Sequence, residues 1–133
     1  MTAKMRTVRS PKVPDPKPQT WSNCKVCGDH VYIAGMVARD ATGKISGDLY
    51  TQSVRVFGKI RDLMEAAGGK MDDVIKVTIF VTDIRRREEV WRARKEFFTG
   101  DFPTSTLVEV KALATPQLHV EVNAIGFLGG SAG

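Results

Sequence analysis

Two cysteines and two histidines are all that 133 residues offer as soft metal ligands. A structural zinc site draws about four ligands of this type, so Cys24, Cys27, His30 and His119 would all have to meet at one ion, and no metal is expected. No apolar run approaches the roughly 18 residues that span a bilayer, and the opening Met1–Arg6 has no apolar stretch behind it to act as a secretory signal. No membrane partner is expected, and a cytoplasmic location is the default. Also missing are a glycine-rich phosphate loop, a G-x-S-x-G elbow, an H-E-x-x-H pair and any internal repeat. Nucleotide hydrolysis, serine-hydrolase chemistry and zinc-protease chemistry therefore lose most of their support.

What is present is enough for one domain, since 42% of the chain is hydrophobic and 26% charged. The formal net charge of +5 suggests nucleic acid at first. Its distribution argues against that partner. Residues 1–18 hold Lys4, Arg6, Arg9, Lys12 and Lys17 against Asp15 alone, which leaves 15 bases against 14 acids for residues 19–133. Four of the six prolines lie in residues 10–18, where they impose an extended, polyproline-like conformation and exclude helix or inner strand. The expected division is a basic, proline-rich arm over 1–18, a domain over 19–128 and a small-residue tail over 129–133.

Cys24 and Cys27 form a C-x-x-C, but the flanking residues read as a strand. Three apart on a strand, two side chains point to opposite faces, so the pair can neither chelate one metal nor easily bond. Both are expected to be small buried or half-buried hydrophobes.

The periodicity beyond the arm is clear. Residues 21–27 and 30–36 flank a turn at Gly28-Asp29 and read as a hairpin. Leu49, Val56, Ile60, Leu63 and Ala67 recur with helical spacing until Gly68-Gly69 stops them. Val74–Val81 is rich in β-branched residues, with Ile75, Val77, Ile79 and Val81 expected on one face. A helix capped near Asp83 follows, with Val90, Ala93, Phe97 and Phe98 inward and the charged run Arg85–Glu89 together with Arg94 expected on a solvated face. Thr106–Leu113 and Leu118–Phe127 complete the set as strands. The order is β-β-α-β-α-β-β: an α+β domain, with a mixed sheet and two helices on one face.

Several segments together resemble the RidA (YjgF) family of reactive-intermediate deaminases. They are Val31–Gly35, Thr51-Gln52, Glu65–Asp83, Phe97-Phe98, Phe102-Pro103, Val108–Val110 and Val120–Val122, and the likeness runs from about Trp21 to Gly126. The resemblance implies a chorismate-mutase-like fold, a homotrimer with clefts between subunits, and hydrolysis of enamines or imines to a keto acid and ammonia without metal or cofactor. Such chemistry needs a water placed on the imine carbon, a group that moves protons, and a cation for the substrate's carboxylate.

The match fails where the family's site would be. In Pro103-Thr104-Ser105-Thr106 the family's carboxylate-clamping arginine is Ser105, which has no charge. In Glu121-Val122-Asn123-Ala124 the family's second glutamate is Asn123, which can orient a water but cannot take its proton at neutral pH. The family's asparagine in the second helix is Trp91, and its cleft tyrosine best matches Trp21. The resemblance thus implies Glu121, Asn123 and Ser105 as the catalytic positions. It implies Trp21, Arg39, Trp91, Thr106 and His119 as binding positions, with Arg39 the candidate for the missing cation and His119 sharing the strand face of Glu121 and Asn123.

Two readings remain open. In one, the cleft is retuned for a conjugated substrate that stacks on tryptophan, by analogy with members acting on 2-aminomuconate-like enamines. In the other, the chain is a catalytically inactive trimeric module that binds a ligand or partner. The expected partners are further copies of the chain and a small carboxylate-bearing molecule.

Overall fold

Strand β6 (Val120–Phe127) decides the architecture, because its residues alternate strictly between buried and half-buried. That is the period of a strand with one covered and one open face. In the computed structural model, which describes residues 4–131, β6 pairs antiparallel on one side with β3 (His30–Met36) and on the other with β4 (Val74–Val81). Beyond β3 lie β2 (Cys24–Cys27) and then β1 (Met5–Thr7), while β5 (Thr104–Glu109) runs parallel to β4 at the opposite edge. The six-stranded sheet is mixed, as expected. Its order is β1-β2-β3-β6-β4-β5.

Helix α1 (Leu49–Ala66) covers the buried face. Asp48 caps it by accepting from Thr51 N at 2.8 Å, which satisfies one of the free amides of the first turn. Leu49, Val56, Phe57, Ile60, Leu63 and Met64 fall on one stripe and are buried. Gly68, at φ +99°, turns the chain out, as a C-terminal glycine in the left-handed region does. Helix α2 (Arg87–Arg94) packs on α1 after a short turn in which the Asp83 carboxylate accepts from Arg85 N. None of the helices is long and apolar enough to cross a membrane, among the described residues.

A buried amide ties helix to sheet. The Gln52 side chain donates from Nε2 to the carbonyls of Gly47 and Gln117 at 3.2 and 2.9 Å, and its Oε1 accepts from His119 N at 2.9 Å. The residue is 1% exposed. Its three bonds set where β6 begins and therefore which of its residues face outward.

Strand β2 starts at Cys24 rather than 21, β6 at Val120 rather than Leu118, and α2 ends at Arg94, before Phe97 and Phe98; four larger departures from the sequence reading stand beside these. Ile75 does not share a face with Val77, Ile79 and Val81; it is 47% exposed. A register shift between Val74 and Lys76 adds a residue, so Val74 and Val77 both point inward and Ile75 turns out. Strand β5 starts at Thr104 rather than Thr106 and ends at Glu109, because this exposed edge strand has no alternation to mark its limits. Its ladder closes with Val110 N donating to Val81 O. The arm, expected to be separate from a domain beginning at 19, packs onto it through strand β1 and the buried Val8 and Val13. The tail, expected to be flexible from 129, is held as far as Ser131, whose N and Oγ donate to the buried Asp73. Residues 1–3 and 132–133 of arm and tail lie outside the described residues.

The cysteines stand as expected. Cys24 is 1% exposed in the core and Cys27 is half-buried, both free. Burial pushes the Cys24 thiol up to about 11, so it is a poor nucleophile at neutral pH.

The Gln52 staple is testable. Gln52→Leu keeps the volume but leaves the Gln117 carbonyl and the His119 amide unpaired, and we expect a loss of about 1–3 kcal/mol in denaturant unfolding. Stability equal to that of the wild type would show that these bonds do not hold β6.

Candidate active site

The open face of the sheet has a cleft at the end of β3 and β6. It has a volume of about 450 Å³, and its walls include Val13, Trp21, Gly35, Arg39, Lys59 and Glu121. Three of the site residues read from the sequence therefore meet here: Trp21, Arg39 and Glu121. The arm supplies part of the wall, since Val13 to Lys17 also line the cleft. Trp21 is 61% exposed and donates from Nε1 to Asn23 Oδ1, while Asn23 is buried and donates to Pro14 O at 2.9 Å. The indole is thus hinged to a fixed amide at the mouth of the cleft.

Glu121 points into this space from the half-buried row of β6. Its carboxyl is raised above the ordinary range by burial, and no ion pair reaches it among the described residues. Room for it comes from Gly35. A Cβ at that position would lie 2.7 Å from Glu121 Cδ and closer still to Oε2, well inside van der Waals contact. Gly35 sits in the register shift of β3 between Ile33 and Met36, where the strand bulges. A glycine within a strand allows close approach of neighbouring groups, and here Gly35 admits the carboxyl group itself.

Lys59, which is not on the apolar stripe of α1, is a wall residue that the sequence did not single out. Its Nζ donates to the carbonyls of Val37 and Arg39, both at 2.6 Å. Burial and then the nearby Arg39 charge hold its ammonium below the usual lysine range. It anchors the loop that carries Arg39, whose guanidinium donates to Gly43 O at 3.3 Å.

The other positions lie elsewhere. Asn123 is two residues along β6 from Glu121, on the same face, opposite Thr78 of β4, which in turn pairs with Thr106 of β5. Asn123 and Thr106 thus share the open face. His119 precedes β6; it is half-buried and held through its backbone. Ser105 pairs with Val77, whose side chain is in the core, so it lies on the helix-bearing face. Its Oγ accepts from Arg94 Nη1 at 2.9 Å. Trp91 is on that side as well, 38% exposed, with the Arg87 guanidinium 5.6 Å from its ring centroid.

The expected trio of Glu121, Asn123 and Ser105 therefore does not converge within one chain. Glu121 and Ser105 are on opposite faces, because Ser105 registers with Val77 and Ala124 while Glu121 registers with Phe80 and Val108. Arg94, expected on a solvated helix face, is half-buried against Ser105; a signal for it was its place one turn beyond Trp91. Among the described residues no group of three or more His, Cys, Asp or Glu could hold a metal ion.

Comparison with known proteins gives these features a context. The family model described as endoribonuclease L-PSP matches residues 14–127. A RutC family protein of Pyrococcus horikoshii is 34% identical over 115 residues, spanning 84% of this chain and 90% of that protein. A 2-iminobutanoate/2-iminopropanoate deaminase of Dermatophagoides farinae is 28% identical over 122 residues, spanning 90% of this chain and 94% of its own. The crystal structure of RidA from an Antarctic Psychrobacter superposes with a TM-score of 0.85 at 27% identity, covering 92% of this chain and 99% of that one.

Two outcomes check the Glu121 environment. Folding raises this carboxyl, so its ionised form destabilises the fold, fully above the folded pKa and not at all below the unfolded one. Glu121→Gln removes that cost, and its denaturant midpoint is expected above that of the wild type at pH 7, with the gap closing as the pH falls to about 4. A gap independent of pH would reject the burial argument. Gly35→Ala should rotate the flexible end of Glu121 out of place with little loss of melting temperature, and any reaction that uses this carboxyl should slow about 100-fold.

Proposed function

The chain belongs to the family described as endoribonuclease L-PSP, which also carries the names RidA and YjgF, and from that premise we propose that it hydrolyses a small carboxylate-bearing enamine or imine to a carbonyl compound and ammonia. The observation that carries this reading is Glu121: an unpaired carboxyl, raised by burial, at the wall of a largely apolar cleft. A carboxyl whose affinity for the proton is raised by burial is the kind of group that gives and takes protons in hydrolysis of a C=N bond. The relative named as an iminobutanoate and iminopropanoate deaminase makes this class of substrate the natural choice.

The steps balance with water alone. An enamine first takes a proton on carbon and gives up one from nitrogen, becoming the imine. Water oxygen then bonds to the imine carbon, the C=N electron pair goes to nitrogen, and Glu121 takes a proton from the water and delivers it to that nitrogen. In the resulting carbinolamine the hydroxyl proton passes by way of Glu121 to the amino nitrogen, the C–N bond breaks with its electron pair going to nitrogen, ammonia leaves, and the pair freed on oxygen forms the carbonyl. Asn123, on the same face as Glu121, orients the water through its side-chain oxygen. Trp21 stacks on a conjugated substrate.

The functional unit in this reading is a homotrimer. Glu121 and Asn123 on the open face of one chain, and Ser105 with Trp91 on the β5 edge of a neighbour, become two walls of one cleft. The exposed Tyr32 and Val108 on the same open face are apolar surface that a neighbouring subunit would cover. A second reading, a binding module without turnover, is favoured by one observation: Ser105 and Asn123 stand where the family's clamp and second carboxylate are expected.

The test uses imines generated in situ by an amino-acid oxidase, with ammonia and 2-oxo acid followed over time. Acceleration over the uncatalysed rate is expected, falling about 100-fold in Glu121→Gln. Binding of these acids with no acceleration of any imine would replace the deaminase reading with the module. Co-expression separates shared from single-chain clefts. Equal amounts of Glu121→Gln and Trp91→Ala chains should give mixed trimers with about a quarter of the clefts intact, whereas a cleft built within one chain would recover nothing.

A further inference from the structure

We propose that Arg94 of helix α2, rather than Arg39 or any residue of β5, is the cation that holds the substrate's carboxylate. The proposal rests on the deaminase reading for the identity of the substrate but not for the existence of the anion site.

Arg94 differs from the other arginines of its segment in burial, since Arg85, Arg86, Arg87 and Arg92 are all exposed. Arg85 and Arg86 are exposed, and each grips a carboxylate through Nε and Nη2, that of Asp83 or of Glu89, at 2.6–2.9 Å. Arg94 is half-buried, and among the described residues no carboxylate pairs with it. Its Nη1 donates to the neutral hydroxyl of Ser105 at 2.9 Å, and its Nε is sealed from water without a partner. Burial lowers its affinity for the proton, in the direction expected for a charge that no anion compensates.

An unpaired buried N–H and an uncompensated charge are both costly. A residue serving only to solvate the helix would avoid both, since a lysine could extend past the same spot. The Nε and Nη2 edge, which Arg85 and Arg86 use on carboxylates, is the edge that Ser105 leaves free. A carboxylate arriving there would satisfy the orphan N–H after a small rotation and neutralise the charge bidentately.

The surroundings suit a flat anion. Arg87, Trp91 and Arg94 are spaced i, i+4, i+7 and form one stripe of α2, so the indole stands one turn from the guanidinium. Ser105 occupies the position from which β5 would otherwise supply an arginine, and its hydroxyl aims the one that comes from the helix. The cation has moved from strand to helix, and the serine is its positioning residue.

Binding of benzoate and of neutral, isosteric benzamide to the full chain, followed by calorimetry and by amide chemical shifts, tests the site without turnover. The wild type should prefer benzoate. Arg94→Met, which keeps the packed aliphatic stem, should lower benzoate affinity about tenfold to a hundredfold and leave benzamide unchanged. Ser105→Arg in the Arg94→Met background should restore the preference. Unchanged benzoate binding in Arg94→Met, or loss of the preference in Arg39→Met alone, would overturn the proposal. In turnover, a raised KM for carboxylate-bearing imines with kcat retained supports it, and an unchanged KM defeats it while leaving the deaminase reading intact. Benzoate held through Arg94 in a protein that accelerates no imine would leave the anion site standing and remove the deaminase.

Discussion

The strict alternation of β6 is the constraint on which the rest of the structure depends. Val120, Val122 and Ala124 lie under α1, while Glu121 and Asn123 stand on the other face. Because the side-chain period of a strand is two, a slip of one residue would bury the carboxyl and expose the core. Three features prevent it: the Gln52 amide that fixes the start of the strand, the bulge of β3 at Gly35, and pairing on both sides to β3 and β4. The position of the Glu121 carboxyl is thus a by-product of making the core.

Charge is the second theme, and it is handled differently on the two faces. In the turn before α2 the exposed Arg85 and Arg86 are paired, with Asp83 and with Glu89 of the helix; pairs of this kind contribute little. Glu121 and Arg94 are half-buried and unpaired, one on each face of the sheet. Isolated, each weakens the fold. In the proposed trimer, opposed across an interface and bridged by a substrate, they would supply what imine hydrolysis demands: a proton carrier at one end and an anion clamp at the other. Uncompensated charge kept despite its cost to stability marks a candidate binding site.

Much of the fold was legible in the sequence. The hairpin, both helices, the β-branched Val74–Val81 and the alternating final strand follow from hydrophobic period and turn chemistry, which are local properties. The errors arose where a local rule was overruled. A bulge turned Ile75 outward, an exposed edge strand hid its own limits, and Val8 and Val13 found core surface that the prolines nearby do not announce. The site was legible only in part. The candidate residues Glu121, Trp21 and Arg39 line one cleft, but Ser105 faces the helices, Arg94 was read as part of a solvated face, and Lys59 was not singled out.

The sequence by itself determined the class of the domain and the family to which it belongs, and it placed Ser105 and Asn123 where the resemblance leads one to expect an arginine and a second glutamate. These are matters of residue identity and short-range spacing. Only the tertiary structure decided which faces those residues occupy, that a glycine at a bulge admits the Glu121 carboxyl, and that a guanidinium from α2 reaches the serine on β5. The reason is physical: burial and pairing of a charge depend on what the fold brings near it from elsewhere in the chain. Glu121 meets residues more than eighty positions away at Gly35 and Arg39, and no periodicity within the chain records that meeting.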